Sequence, residues 1–107
     1  MADSRWDGLT LINNVSDPKK RFEMHIEDKV AFVEYIISKQ QIIYLTHTEV
    51  PQGLEGKGVG GAMVSKVLDF IVQSKLKMAP LCPFVAAYLK RHPTRATGIL
   101  APGYSIA

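Results

Sequence analysis

The chain has 107 residues and a mass of 11.9 kDa, which is the size of a single domain. Hydrophobic residues make up 47% of it and charged residues 21%, a balance typical of a folded globular protein and not of a disordered one. Its single cysteine excludes an intramolecular disulfide and a zinc site built from several thiolates, and no metal site is expected.

Charge and hydropathy limit the classes of partner and the cellular location that are expected. The net charge is +3, but the longest basic run is only Lys19 to Arg21, so nucleic acid is not an expected partner. No apolar run approaches the roughly 20 residues that span a bilayer, so no membrane is expected either. The first residues, MADSRWDG, lack the apolar stretch of a secretory signal, and a cytoplasmic, intracellular location is expected.

Residues 1–18 are polar and predict an N-terminal arm that ends in a turn at Asp17-Pro18. Apolar side chains within the arm can pin it to the body of the protein: Trp6, Leu9, Leu11 and Ile12.

Three predicted strands follow the arm. Residues 21–26 alternate apolar and polar side chains, the pattern of a half-buried strand. Residues 30–37 are rich in β-branched and aromatic types and predict a second strand. Residues 42–49 form the third strand after a short polar connection, so an antiparallel meander is expected.

The second half of the chain predicts a βαβ unit. Residues 50–61, the glycine loop, contain five glycines and lead into a helix from about 59 to 74 with a wide apolar face. Residues 77–82 then predict a fourth strand, parallel to the third. Pro83 begins a short second helix that ends at His92-Pro93.

A glycine-rich loop that enters a helix is suited to bind phosphate, because its backbone approaches an anion closely and the first helical N–H groups point at it. Lys57 adds a positive charge. The Walker pattern fails, since Pro51 stands where a glycine is required. The dinucleotide pattern G-x-G-x-x-G is matched by Gly56, Gly58 and Gly61, but the preceding strand belongs to a meander and no acidic residue closes the next strand. A tight turn without a ligand is the remaining alternative.

Two segments, residues 47–64 and 80–93, together resemble the small, single-domain branch of the GNAT superfamily of acyl-CoA-dependent N-acetyltransferases. The superfamily signature is Gln or Arg, two residues, Gly, one residue, then Gly or Ala. Glu55, Gly58 and Gly60 occupy these places. Glu55 departs from the signature, but the family uses mainly the backbone N–H of that residue.

The resemblance covers roughly residues 20–93 and implies an α+β fold that is a truncated form of the family's. An antiparallel meander would run into a βαβ unit with two splayed parallel strands and a short C-terminal helix. We therefore expect a minimal acetyl-CoA-binding domain over 19–93, between the arm of 1–18 and a tail of 94–107.

Acetyl-CoA or CoA is the cofactor that the resemblance implies. The glycine loop would hold the pyrophosphate, and the pantetheine arm would lie between the splayed strands. There, backbone N–H groups at the end of the third strand would polarise the thioester carbonyl. The implied cofactor-binding residues are Thr48, Glu49, Val50, Glu55, Gly56, Lys57, Gly58, Val59, Gly60 and Gly61.

Four side chains are candidate catalytic residues. His47, near the end of the third strand, can deprotonate an attacking amine or thiol. Cys82 precedes a helix, where a thiolate is favoured, and is expected to face the same gap as His47. Glu49 is an alternative base, on the same side as His47 if no bulge intervenes. Tyr88 is, by the resemblance, the acid that protonates the leaving CoA thiolate, although it and Cys82 could also be packing residues.

The function implied is acetyl transfer from acetyl-CoA to an amine. Direct attack in a ternary complex is favoured over a covalent route through Cys82, because the superfamily usually works that way. The acceptor side is expected to be open, which suits a protein amine better than a small metabolite. The alternatives are a non-catalytic CoA-binding or protein-interaction module and, more distantly, a nucleotide-binding regulator. The sequence leaves the oligomeric state undetermined.

Overall fold

The computed structural model describes residue 6, residues 8–16 and residues 20–105. The predicted turn at the end of the arm, Asp17-Pro18, lies outside the described residues. In chain order the elements are β1 (Ile12–Asn14), β2 (Lys20–Ile26), β3 (Lys29–Ile37), β4 (Ile42–Glu49), α1 (Val59–Gln73), β5 (Lys77–Pro80), α2 (Pro83–Arg91) and a 3₁₀ turn (Pro93–Ala96).

The strands form one five-stranded sheet in the order β1-β2-β3-β4-β5. The first four pair antiparallel, and β4 and β5 pair parallel across the α1 crossover. The α+β fold that the sequence predicts is therefore confirmed, including the meander and the parallel pair. The additional strand, β1, lies within the predicted arm and is only three residues long.

The inner face of the sheet carries the hydrophobic core. Phe22 of β2 stacks on Tyr35 of β3, with ring centroids 4.5 Å apart, and meets Phe70 of α1 edge-on at 5.1 Å. Val33 and Leu45 are also fully buried. Helix α1 thus covers the inner face, as its wide apolar surface predicts. The opposite, outer face carries Arg21, Phe32, His47 and Glu49, among others, and is largely exposed.

A β-bulge interrupts the β3–β4 ladder. Tyr35 pairs with Leu45, but Glu34 pairs with His47, so Thr46 is an extra residue on β4. The bulge reverses the alternation of side chains along β4. Leu45 faces the core, yet His47 does not; the inward-facing residue after the bulge is Thr48, which pairs with the buried Val33.

Strand β5 is shorter than predicted and ends at Pro80 instead of residue 82. Cys82 is the N-cap of α2, so the chain has already left the strand there. The tail, which has little sequence pattern, covers the outer edge of β5: Met78 donates a backbone hydrogen bond to Ile99, and Ala101 donates one to Met78. The tail therefore shields an edge that would otherwise be open.

The N-terminal arm packs against the body as predicted through three of its four apolar side chains, Trp6, Leu9 and Leu11. The prediction for Ile12 was wrong: it pairs with Glu23 on the outer face and is 42% exposed. Within the described part of the chain, neither helix has the length and apolar character needed to cross a membrane.

Candidate functional site

The glycine loop between β4 and α1 has a backbone that only glycine adopts readily. Gly53, Gly56 and Gly58 have φ angles of 94°, 76° and 86°, in the left-handed region. Gly58 is the N-cap of α1, and the helix begins with the hydrogen bond from Ala62 N–H to the Gly58 carbonyl at 3.0 Å. The loop therefore turns sharply into the helix with its backbone uncovered by side chains.

The first turn of α1 has no internal cap. Among the residues that the structure describes, no side-chain hydrogen bond caps the helix at Gly58, and the first turn contains no acidic residue. The first N–H groups of a helix need partners from outside the helix, and they favour anions through the helix dipole. A Cβ on Gly56 would meet nothing within 4 Å, so open space lies beside the loop. These features fit a bound phosphate group.

A groove of about 480 Å³ runs along this loop, between the end of β4 and helix α2. It is lined by Thr48, Val50, Leu54, Glu55, Gly56, Gly58, Gly60, Gly61, Phe84 and Arg91. Seven of the ten predicted cofactor-binding residues are among these. The other three, Glu49, Lys57 and Val59, are not, and the side chain of Val59 is fully buried in the core.

Arg91 is the cationic side chain in the groove, a position the sequence assigned to Lys57. Arg91 is not among the residues predicted for the site, although its spacing along the helix is a signal for it. Phe84, Tyr88 and Arg91 are spaced i, i+4 and i+7, so they lie along one face of α2, the face that meets the start of α1. The positive charge opposite the glycine loop therefore comes from the second helix.

Gly60 has a packing role as well as a place in the groove. A Cβ at this position would stand 2.3 Å from Cζ of Phe84, too close for any real contact. The absence of a side chain lets α2 approach the first turn of α1. Gly61 is less constrained, because a Cβ there would lie 3.7 Å from the ring of Tyr88, an ordinary contact distance.

Strands β4 and β5 part beside the groove. Their pairing ends at Leu45 and Pro80, followed by one hydrogen bond from the Cys82 N–H to the Leu45 carbonyl at 2.9 Å. Strand β4 continues to Glu49 while the chain turns away into α2. A gap between two splayed parallel strands, as the resemblance implied, follows from this early end of β5.

Cys82 and His47 do not face the same gap, contrary to the expectation from sequence. The thiol of Cys82, 3% exposed, donates a hydrogen bond to Oγ1 of Thr48 at 3.1 Å, on the inner side of β4. His47 is the neighbour of Thr48 along the strand and therefore lies on the opposite face. The Thr46 bulge is the cause, because without it His47 would share the face of Leu45.

His47 and Glu49 lie together on the outer face, after the bulge. Nε2 of His47 is 3.6 Å from a carboxylate oxygen of Glu49, and the two side chains are 54% and 61% exposed. The His47 ring also lies beside Phe32, with centroids 6.2 Å apart. The structure thus brings the two candidate bases together in a position open to solvent.

Tyr88 is only 8% exposed and packs where the two helices meet. Its ring lies 4.4 Å, centroid to centroid, from that of His92, and it faces the position of Gly61. Tyr88 is therefore next to the glycine loop's helix and away from the outer-face pair of His47 and Glu49.

A second polar cluster on the outer face surrounds Glu23, which is 4% exposed. Burial alone would raise its pKa, but hydrogen bonds from Arg21, His25 and Asn14 outweigh this and lower the pKa to about 2. The cluster is an internally satisfied ion network. Among the described residues, no group of three or more His, Cys, Asp and Glu side chains is arranged to hold a metal ion.

A comparison with models of known protein families agrees with the fold expected for the groove, the glycine loop and the splayed strands. A family model described as GCN5-related N-acetyltransferase matches residues 21–97, a range that contains every element forming the groove. The chain belongs to the GCN5-related N-acetyltransferase family.

Curated relatives of this N-acetyltransferase-family chain carry the name Protein NATD1. The chicken (Gallus gallus) protein is 34% identical over 64 residues, which are 60% of this chain and 56% of the relative. The human (Homo sapiens) protein has the same identity over 55% of its length. The zebrafish (Danio rerio) protein is 27% identical over 84 residues, 74% of this chain and 76% of the relative. The chain thus spans just over half the length of the first two relatives.

Proposed function

We propose that the chain binds acetyl-CoA in the groove and transfers the acetyl group to an amine. The observation that carries the proposal is the uncapped start of α1, reached through left-handed glycines and faced by Arg91. A diphosphate needs hydrogen-bond donors and positive charge, and this corner supplies both. The bound thioester would supply an activated acetyl group.

The residues beside the gap suit the rest of the cofactor. Thr48 and Val50 line the groove where β4 parts from β5, so backbone groups at the end of β4 are available to a pantetheine amide and to a thioester carbonyl. Backbone N–H donors aimed at a developing oxyanion lower the barrier of acyl transfer. Phe84 and Leu54 add apolar lining.

Direct attack by the amine is favoured over a covalent route through Cys82. The thiol is 3% exposed and donates a hydrogen bond to Thr48, an arrangement typical of a packed cysteine and not of an accessible nucleophile. His47 and Glu49 are exposed and can take a proton from an incoming amine. Tyr88, near the groove, is the candidate acid for the leaving thiolate.

The acceptor we propose is an amine on a protein, either a lysine or an N-terminus. The candidate bases stand on an exposed sheet face and not in a closed pocket. A protein substrate can bind through contacts around the reacting amine and so can use an exposed base, whereas a small metabolite needs a concave pocket to bind well. The cytoplasm, where acetyl-CoA and protein amines meet, is the expected location.

Ligand binding is the first test. Acetyl-CoA should raise the melting temperature, whereas NAD and ATP should not. A matched pair of variants places the site: Arg91→Gln should weaken acetyl-CoA binding about tenfold, and Lys90→Gln, which removes the same charge one residue away from the groove lining, should leave it unchanged. No melting shift at millimolar acetyl-CoA would contradict the proposal.

Turnover is the second test. Release of free CoA thiol is measured with acetyl-CoA and a panel of lysine peptides, N-terminal peptides and small polyamines. Peptide-dependent release above the rate of hydrolysis supports the transferase. Tight binding without release for any amine would instead identify a non-catalytic CoA-binding module.

A further inference from the structure

We propose that Trp6 is a positioning residue that sets the orientation of one peptide group in the glycine loop, the peptide between Lys57 and Gly58. The inference rests on the proposed acetyl-CoA site for its functional meaning. The contact itself does not depend on any ligand: the indole Nε1–H of Trp6 donates a hydrogen bond to the Lys57 carbonyl oxygen at 2.7 Å, across 51 residues of sequence.

The planarity of the peptide group connects this contact to the groove. In a trans peptide the C=O of one residue and the N–H of the next point in opposite directions. Holding the Lys57 carbonyl toward Trp6 therefore directs the Gly58 N–H away from Trp6. Gly58 lines the groove and is the N-cap of α1, so its N–H is among the donors nearest to a bound phosphate.

The hydrogen bond from Trp6 is needed because glycine would otherwise allow the peptide between Lys57 and Gly58 to flip. Lys57 lies between Gly56 and Gly58, both with left-handed φ. Glycine occupies positive and negative φ about equally well, so rotation of the 57–58 peptide has little steric cost. A flipped peptide would present a carbonyl oxygen where the N–H stood, and an oxygen repels phosphate. One hydrogen bond that selects the correct orientation therefore presets the loop for an anion.

The N-terminal arm holds Trp6 in position for this bond. The Leu9 N–H donates to the Trp6 carbonyl at 3.2 Å, closing a turn, and Leu9 and Leu11 pack against the core. The indole itself is partly buried against the same core. Apolar contacts thus attach the arm to the core, and its tryptophan reaches the glycine loop.

The test compares Trp6→Phe with the wild type. Phenylalanine keeps an aromatic ring for packing but has no N–H to donate. We expect the dissociation constant for CoA to rise about two- to tenfold, the range of one net hydrogen bond. The KM for acetyl-CoA should rise with it while kcat at saturation stays close to the wild-type value. Tyr104→Phe, which also removes one polar hydrogen from an aromatic side chain, is the control and should change neither value.

Two measurements on the protein without ligand keep this inference separate from the proposed function. In ¹⁵N–¹H spectra, Trp6→Phe should broaden or shift the amide signals of Lys57 and Gly58 through exchange between the two peptide orientations. In the wild type, the Trp6 indole N–H should exchange with solvent more slowly than in an unstructured peptide.

Unchanged Gly58 signals together with unchanged CoA affinity in Trp6→Phe would overturn the inference. Indole exchange at the rate of an unstructured peptide would overturn it too, and this result requires no variant to fold. If the wild type fails to bind CoA, the proposed function fails, while the spectra of the free protein still decide whether Trp6 orients the peptide.

Discussion

The thiol of Cys82 and the hydroxyl of Thr48 are joined by a hydrogen bond of 3.1 Å at the point where β4 and β5 separate. Thr48 belongs to the end of β4, whereas Cys82 is the N-cap of α2, and the two residues are 34 positions apart in the sequence. Their contact places the cysteine on the inner side of β4 and leaves the two candidate bases, His47 and Glu49, on the outer side. The thiol is therefore buried on one side of β4, and the two candidate bases are exposed on the other side.

The covalent and direct routes differ in what Cys82→Ala should do. If transfer is direct, the variant keeps at least a tenth of wild-type turnover, because it loses only the hydrogen bond to Thr48 and core packing. Steady-state release of CoA thiol measures this, and calorimetry confirms that CoA still binds. Complete loss of turnover with intact CoA binding would show that the cysteine takes the acetyl group.

Removing the candidate bases should slow the reaction without weakening CoA binding. We expect Glu49→Gln and His47→Gln each to lower kcat about ten- to a hundredfold. This is at or below the lower end of what a general base contributes, since each residue can partly replace the other across 3.6 Å. Glu27→Gln, a loss of charge in the exposed β2–β3 turn, is the matched control. Wild-type kcat in the double variant His47→Gln/Glu49→Gln would remove both residues from the mechanism.

The two adjacent glycines at the start of α1 should respond differently to a methyl group. Gly60→Ala forces a Cβ to within 2.3 Å of the Phe84 ring and should lower the free energy of unfolding by about 1–3 kcal/mol. Gly61→Ala adds a Cβ at an ordinary contact distance within a helix and should be neutral or stabilising by up to about 1 kcal/mol.

Urea denaturation of both alanine variants measures the difference. Phe84→Leu should recover part of the stability lost in Gly60→Ala, because the smaller side chain makes room for the methyl group. Equal stability of the two alanine variants would contradict the close packing of α2 on Gly60.

The free energy of unfolding should depend on pH through the protonation of Glu23. Its pKa is lowered in the folded state from 4.5 to about 2, so the folded protein binds this proton less readily than the unfolded chain does. The stabilisation is therefore complete above about pH 5 and is lost as the pH falls toward 2.

Glu23→Gln should lower the free energy of unfolding at pH 7 by about 2–3 kcal/mol, and the deficit relative to wild type should shrink as the pH approaches 2. Denaturation curves of the wild type and of Glu23→Gln at pH 7, 5, 4 and 3 measure this deficit. A deficit that is constant over this range would mean that the Glu23 network contributes no net charge stabilisation.

Much of the fold follows from local patterns in the sequence. The alternation in residues 21–26 and the β-branched run in 30–37 predict β2 and β3 to within one residue at each end. The apolar face after the glycine loop predicts α1, and Pro83 marks the start of α2. These elements are strongly specified because burial on one face requires a fixed period.

The positions of the site's side chains depend on long-range contacts, so they could not be predicted from local sequence patterns. The bulge at Thr46 adds one residue to β4 without a change in composition, and it alone moves His47 away from Cys82. The tail pairs with β5 through backbone groups, which leave no side-chain pattern. Arg91 is exposed at the end of α2, and only the packing of α2 on Gly60 places it beside the groove.

The central claim, that the glycine loop and the start of α1 bind the phosphates of acetyl-CoA, is tested most directly by following backbone amides during a titration. ¹⁵N–¹H spectra are recorded while acetyl-CoA is added to the wild-type protein. The largest shifts should occur at Gly56, Gly58, Gly60 and Gly61, with smaller ones at Thr48 and Val50. An absence of shifts at millimolar acetyl-CoA, or shifts confined to the outer face around Phe32 and His47, would contradict the account.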